Sequence, residues 1–250
     1  MYTEVLNNKL IFVGDLNSIN LEIIAKSYKH LTKKNIKIIL IGDIDKIQKY
    51  FIRIKFRVNV VELFSIEDHL NFNNKNIFIF HASSNSTDKA NLILNQIIIS
   101  NNLSKHKSYD LITMPIDKSV IKKGNNFNGV TEFLSQINFK KTFMLMRGES
   151  FSVIPLTTHI KFKNILKGFN AKNFYKDLKD IIHILIKKKI NYNEIIILGI
   201  NPHAGEDGTL GNEENIIKKV IITINKELKF IKIKGPLSAD SAFKNINSKK

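Results

Sequence analysis

Short apolar runs alternate with helical patterns along most of this chain. Eight runs of four to six residues are rich in Ile, Val and Leu and have the composition of buried strands: residues 10–13, 36–41, 58–63, 77–80, 111–114, 142–146, 153–156 and 195–198. Apolar residues at spacings of three and four predict helices in other segments: residues 21–31, 90–97, 178–185 and 216–221. This alternation predicts an α/β fold with a mostly parallel sheet covered by helices on both faces.

A polar stretch rich in Gly and Asn, residues 122–129, follows the fifth predicted strand. Such a stretch is typical of a boundary between compact units. We therefore predict two α/β/α lobes, residues 1–125 and 126–250, with an approximate boundary. A crevice between two lobes is a favoured place for a ligand.

The composition restricts the partners and the compartment. The net charge is +17, from 39 basic and 22 acidic residues, but the basic residues are nearly all Lys and are spread along the chain. Specific nucleic-acid recognition favours clustered Arg, so we expect no nucleic-acid partner. The chain has no Cys, which excludes disulfides and is consistent with a reducing cytoplasm. No apolar stretch reaches the roughly 20 residues that a membrane span needs.

The segment at residues 199–211 has the composition of a ligand-binding loop. It follows an apolar run and precedes a helical pattern, and it contains four glycines, His203, Glu206 and Asp207. Glycine permits backbone conformations that other residues resist, and the start of the next helix offers N–H groups to an anion. His203 could ligate a metal or move a proton near neutral pH. The alternative is a plain turn between a strand and a helix.

Five motifs together resemble one enzyme family. The two specific ones are NPHAGE at residues 201–206 and GPLSADSAF at residues 235–243. Weaker matches lie in the same order at residues 14–22, at residues 115–118 leading to GVTEF at residues 129–133, and at TTH, residues 157–159. With these motifs the chain resembles the 4-hydroxythreonine-4-phosphate dehydrogenase family of the vitamin B6 pathway. The resemblance runs from about residue 10 to residue 243.

The resemblance implies roles for several side chains. His159 and His203 align with family ligands of a divalent metal, Zn, Mg or Co. Thr131 aligns with a substrate-binding Thr, and Lys118 is a plausible contact for an anion at the end of a strand. Two further residues would support the site: Asp240 as an orienting group and Glu206 beside the metal His. Simpler roles remain open for these residues, because Thr131, Asp240 and Glu206 could each cap a helix or a turn.

The resemblance also implies a fold and a reaction. The family has two α/β/α lobes with a cleft between them, similar to isocitrate and isopropylmalate dehydrogenases. Its members oxidise 4-phosphonooxy-L-threonine, a small phosphorylated amino acid, with NAD, and decarboxylation then gives 3-amino-2-oxopropyl phosphate. NAD is bound there without the Gly-x-Gly-x-x-Gly motif, which this chain also lacks. Family members are homodimers, so a cytoplasmic homodimer is expected here.

Three departures from the family pattern support a second hypothesis. Val130 stands where the family has a substrate-contacting His, and Ser18 and Asn20 stand where it has Gly. The family's third metal His falls at a place beyond Lys250. These departures indicate, as an alternative, a degenerate and catalytically impaired member with no ligand binding or only residual binding.

Overall fold

The computed structural model describes residues 8–66, 70, 72–73, 75–82, 88–107, 109–122, 127–190, 192 and 194–246. The chain forms two compact units, Met1–Lys140 and Lys141–Lys250. The division at 125/126 made from the sequence stays a prediction, and the boundary residues Gly124, Asn125 and Asn126 lie outside the described residues. In the described part of the chain, no helix is both long and apolar enough to cross a membrane.

Unit 1 is built on a parallel sheet with the strand order β3-β4-β2-β1-β5. Every neighbouring pair in this sheet is parallel. All five strands lie within a residue or two of runs predicted from the sequence, which confirms the α/β class with a mostly parallel sheet. The strands are β1 Asn8–Phe12, β2 Lys37–Gly42, β3 Asn59–Leu63, β4 Asn76–His81 and β5 Asp110–Thr113.

Helices cover both faces of this sheet. Successive side chains of a strand point to opposite faces, so adjacent residues of β1 enter different core clusters. Ile11 of β1 packs in a core cluster with residues of the first two helices, whereas the adjacent Phe12 packs with Ile93, Ile97 and Ile121 on the other face. The helices are α1 Asn20–Lys33, α2 Ile44–Arg53, α3 Lys89–Lys107, α4 Lys118–Lys122 and α5 Val130–Asn138.

Unit 2 has less regular structure. Strands β6 Met146–Arg147 and β7 Ser152–Val153 form an antiparallel pair, and β8 Glu194–Leu198 pairs in parallel with β9 Lys232–Leu237. A core cluster that includes Leu178, Ile182, Ile217 and Ile221 packs two long helices against the second pair. The helices are α6 Ile165–Gly168, α7 Ala171–Lys187, α8 Glu213–Glu227 and α9 Ala239–Ile246.

Two predicted strands of unit 2 are wrong for most of their length. Of residues 142–146 only Met146 lies in a strand, and of residues 153–156 only Val153 does. Pro155 has no N–H to donate to a neighbouring strand, and the residues of both runs are half-buried or exposed. Apolar composition alone therefore predicted longer strands than the structure contains. The unpredicted β9 contains Gly235 and Pro236, which are normally breakers, and its pairing with β8 shifts register there.

Candidate active site

The segment after β8 makes a turn with an unusual backbone. Residues 203–207 all have positive φ, at 51°, 55°, 80°, 42° and 52°. We call the 3-10 segment Pro202–Gly208 the His203 turn. For an L-residue, left-handed backbone costs roughly 1–2 kcal/mol, and glycine alone adopts it freely. Such strain persists only where surrounding contacts impose it, and it is concentrated at functional sites.

A buried carboxylate holds the entry to the His203 turn. Glu214, in the first turn of α8, is only 4% exposed. Its Oε1 accepts hydrogen bonds from the backbone N–H of Ile200 at 3.0 Å and of Asn201 at 2.8 Å. Its Oε2 accepts from Asn201 Nδ2 at 3.0 Å. Burial raises the pKa of this carboxyl. The hydrogen bonds from Asn201 and Ile200 lower it by more than burial raises it, so the pKa lies below its usual value.

Two glycines are required by the closeness of this packing. A Cβ added to Gly205, whose φ is +80°, would lie 2.6 Å from Glu214 Oε2. A Cβ added to Gly211, whose φ is +145°, would lie 2.4 Å from Asn201 Nδ2. Both positions therefore strongly disfavour a side chain, which accounts for two of the four glycines in this segment.

Asp240 lies on α9, which packs against the His203 turn. It belongs to the first turn of α9 and accepts a short hydrogen bond from the hydroxyl of Ser238. That hydrogen bond is the main cause that lowers the pKa of Asp240, and the charge of His203 is a smaller contribution in the same direction. The structure thus brings together one residue from each of the two specific motifs. The orienting role predicted for Asp240 stays a prediction.

The two predicted metal ligands are both exposed residues of unit 2. His159 and His203 each have left-handed backbone, with φ of 54° and 51°. Across the described ranges, no group of three or more His, Asp or Glu side chains could hold a metal ion. Catalytic zinc sites usually have three protein ligands, so these two imidazoles do not form a complete site by themselves. Their metal-binding role stays a prediction.

Glu206 closes the His203 turn through its backbone. Its carbonyl oxygen accepts from the N–H of Thr209 at 3.1 Å and from the Thr209 hydroxyl at 2.8 Å. The side chain itself is exposed. In the structure, this residue closes the turn through its backbone carbonyl. Its support of the metal-binding His203 stays a prediction.

A second polar region lies at the carboxyl ends of β1 and β5 in unit 1. These strands are neighbours, and the helices that follow them, α1 and α4, pack on opposite faces of the sheet. In parallel α/β sheets a ligand crevice forms at such a reversal. Lys89 Nζ lies 3.7 Å from Asp15 Oδ1 at this end. Exposed Lys118 begins α4 in the same region, and its role as an anion contact stays a prediction.

The segment before α4 is shaped by Asp117. Its Oδ1 accepts from the backbone N–H of Ser119 at 2.9 Å and from the Ser119 hydroxyl at 2.6 Å. These two bonds lower the pKa of the Asp117 carboxyl. Farther along unit 1, Thr131 lies in the first turn of α5, and the carboxylate of Glu132 in the same turn lies beside Gly129. Thr131 is half-buried, and its substrate-binding role stays a prediction.

Sequence reasoning missed the structural roles of Glu214 and Asn20. A Glu in the first turn of a helix is usually explained by the helix dipole, so Glu214 carried no separate signal. Asn20 was counted as a departure from Gly, but its buried side chain donates three hydrogen bonds to backbone carbonyls. Glu214 acts on the loop before its own helix, and Asn20 acts both on the loop before α1 and on the distant loop after β5.

Comparison with known proteins identifies the family. The family model described as "Pyridoxal phosphate biosynthetic protein PdxA" matches residues 21–250. The 4-hydroxythreonine-4-phosphate dehydrogenase of Sulfurihydrogenibium sp. is 31% identical over 247 residues, covering 93% of this chain and 74% of the relative. The enzyme of the same name from Sulfurimonas denitrificans is 29% identical over 239 residues, covering 93% of this chain and 72% of the relative.

A solved structure agrees on the fold. The crystal structure of a 4-hydroxythreonine-4-phosphate dehydrogenase from Burkholderia phymatum superposes with a TM-score of 0.79 at 21% identity, covering 98% of this chain and 78% of that chain. The specific likeness to isocitrate dehydrogenase stays a prediction. The extent of the family match does not favour the alternative of a degenerate member. The chain therefore belongs to the 4-hydroxythreonine-4-phosphate dehydrogenase family of oxidoreductases, the PdxA family of pyridoxal phosphate biosynthetic proteins.

Proposed function

We propose that this chain oxidises the secondary alcohol of 4-phosphonooxy-L-threonine with NAD, and that the product decarboxylates to 3-amino-2-oxopropyl phosphate in vitamin B6 biosynthesis. The name of the relatives supports the substrate class and the dehydrogenase chemistry. The observation that carries the proposal is the strained His203 turn, against which α9, the helix that carries Asp240, packs. Residues held in sparsely populated backbone conformations are concentrated at functional sites.

The reaction balances with NAD and the solvent as its only co-reactants. Oxidation removes a hydride from the carbon that bears the hydroxyl and a proton from that hydroxyl, which leaves a ketone. The product is a β-keto acid, so the carbon–carbon bond to its carboxylate breaks, the electron pair passes into the ketone, and CO₂ leaves. The resulting enolate takes a proton from the solvent. NAD, when bound, supplies the acceptor for the hydride.

Five residues of this chain receive proposed roles. Asp240, on the helix α9 beside the His203 turn, would orient a group of the site. Lys118 would contact the phosphate, and the Thr131 hydroxyl would contact the substrate. A divalent cation, Zn, Mg or Co, would be held by His159 and His203. The described residues form no cluster of three such donors, so these two imidazoles would need further ligands to complete the site.

We also propose a homodimer as the active form, on the basis of the family resemblance. Sedimentation analysis of the purified protein tests this directly. A single species with twice the chain mass of 28.7 kDa is expected, and a monomer at micromolar concentration contradicts the proposal.

The activity is tested by nicotinamide reduction. Purified protein is given NAD and 4-phosphonooxy-L-threonine with Zn²⁺, Mg²⁺ or Co²⁺, and both reduced cofactor and released CO₂ are measured. His203→Asn should abolish turnover. His183→Asn is the matched control, because His183 is an exposed His on α7 outside the motifs and should retain wild-type turnover.

The variant Val130→His distinguishes an active dehydrogenase from a degenerate, catalytically impaired member of the family. If the wild type reduces NAD at a rate close to that of Val130→His, the chain is an active dehydrogenase and the degenerate reading is wrong. If only Val130→His turns over, the degenerate reading is correct. An absence of nicotinamide reduction in both proteins, with every cation, contradicts the proposed reaction.

A further inference from the structure

We infer that Glu214 is a positioning residue for the active site: its carboxylate fixes the backbone on which His203 stands. The consequence for catalysis rests on the proposed function, whereas the consequence for the turn rests on geometry alone. Glu214 does not belong to the NPHAGE motif, and it lies 11 residues after His203 on a different element, α8.

The first argument is that one carboxylate contacts the His203 turn at two places. It accepts from the N–H groups of Ile200 and Asn201, which lie immediately before the turn. It also lies against the middle of the turn, because its Oε2 leaves no room for a Cβ on Gly205. A rigid contact at the entry and another at the centre define the path of the chain through His203.

The second argument is that these bonds offset strain. Four non-glycine residues, those at 203, 204, 206 and 207, have left-handed backbone. A relaxed chain would leave this conformation unless contacts outside the turn imposed it. Hydrogen bonds to an ionised acceptor are stronger than those to a neutral one, and Glu214 makes three of them while buried. Its removal would therefore release the turn that carries His203.

The third argument is that the network has one orientation. Asn201 Nδ2 donates to Glu214 Oε2 at 3.0 Å and to Glu213 Oε2 at 2.8 Å. A flipped Asn201 amide would point its oxygen at two carboxylates. In Glu214→Gln, the new side-chain NH₂ group takes the place of Oε2 and faces the NH₂ group of Asn201. Both groups are donors, so the hydrogen bond between these two side chains is lost. The remaining oxygen of Gln can still accept from the two backbone N–H groups.

The experiment compares Glu214→Ala and Glu214→Gln with the control Glu227→Gln. Glu227 lies at the other end of α8, where its carboxylate accepts from the hydroxyl of Tyr175 and from Lys179. Hydrogen exchange of residues 199–211 and of α8 is followed by mass spectrometry. The imidazole resonances of His203 are followed by nitrogen-15 NMR, with His183 as the internal reference. Steady-state kcat and KM are then measured with the proposed substrate.

The expected pattern is graded. Glu214→Ala should increase exchange at residues 199–211 while the second half of α8 stays protected, and it should shift the His203 resonances while those of His183 stay in place. The kcat should fall by about 10- to 100-fold, as for other residues that orient a functional His. Glu214→Gln should fall between Glu214→Ala and the wild type, and Glu227→Gln should match the wild type.

Other outcomes overturn the inference. Unchanged exchange and unchanged His203 resonances in Glu214→Gln and Glu214→Ala would show that the turn does not depend on this carboxylate. Equal changes in Glu227→Gln would show a general loss of α8 stability instead of positioning. If Glu214→Ala does not fold, Glu214→Gln carries the test. If the wild type has no activity, the proposed function fails, and exchange and resonances still decide the role of Glu214.

Discussion

Asn20 donates from its side-chain amide to the carbonyl oxygen of Pro115 at 2.8 Å, and this bond joins the loop after β1 to the loop after β5. The same Nδ2 donates to the carbonyl of Val13 at 2.9 Å and to that of Asp15 at 3.3 Å. The side chain is only 1% exposed. One amide therefore organises the backbone at the carboxyl end of the unit 1 sheet, where the ligand crevice is expected.

Replacement of Asn20 should destabilise unit 1. Asn20→Ala removes the side-chain donor from the buried carbonyl oxygen of Val13, which costs about 1–3 kcal/mol, whereas the carbonyl oxygens of Pro115 and Asp15 still accept from Asp15 N–H and from Ser18. Asn20→Asp should cost more, because a carboxylate has no donor and would face the same carbonyl oxygens. Urea unfolding measures both effects. The control Asn17→Asp, at an exposed position of the same loop, should unfold with the wild-type midpoint, and an equal loss there would contradict the role of the Asn20 amide.

Gly205→Ala should be one of the most damaging single substitutions in unit 2. The added Cβ would lie 2.6 Å from Glu214 Oε2, and the backbone is left-handed at φ +80°. The backbone term alone is roughly 1–2 kcal/mol, and displacement of the carboxylate adds to it. The matched control is Gly168→Ala in α6, where an added Cβ meets nothing within 4 Å. Thermal unfolding should show a large loss for the first variant and little or none for the second.

The stability of unit 2 should depend on the ionisation of Glu214 in acid. The pKa of Glu214 is lower in the folded chain than its usual value, so the unfolded chain binds this proton more readily. The resulting stabilisation is complete above the unfolded pKa, near 4.3, and is lost as the pH falls through the lower folded pKa.

The measurement is the difference in unfolding free energy between the wild type and Glu214→Gln across acidic pH. Since Gln does not titrate, the difference should be constant near neutral pH and should shrink as the pH falls below about 4.3. A difference that stays constant throughout, or that grows in acid, would contradict the lowered pKa. Glu227→Gln does not serve as a control for this measurement, because the pKa of Glu227 is also lowered.

Lys118→Ala should weaken substrate binding without affecting the fold. Lys118 is exposed at the start of α4, so its removal leaves no cavity. If it contacts the phosphate, loss of a charged hydrogen bond worth about 1.5–3 kcal/mol should raise KM by tenfold or more. The exposed Lys29 on α1 offers the control Lys29→Ala, which should keep the wild-type KM. Equal KM values for all three proteins would remove Lys118 from the site.

Much of unit 1 was predictable, because a strand that is buried on both faces of a parallel sheet consists of a nearly continuous run of apolar residues. Runs such as residues 36–41 contain almost only apolar residues, and β2 forms there with five consecutive buried positions, Ile38 to Gly42. The helical stripe at residues 21–31 likewise became α1. Unit 2 was less predictable, since β6 and β7 have only two residues each and β9 contains a Gly and a Pro, although β8 forms at the predicted residues 195–198.

By itself, the sequence determined the α/β class and the family, because periodic burial and contiguous motifs are local properties of the chain. It also located the segment that carries His203. Only the tertiary structure decided how that segment is held. The Asn20–Pro115 bond joins residues 95 apart, and the bond from Ile200 to Glu214 joins a loop to the next helix. Such bonds depend on which backbone groups the fold brings within reach of a side chain, and no local pattern of residues records that distance.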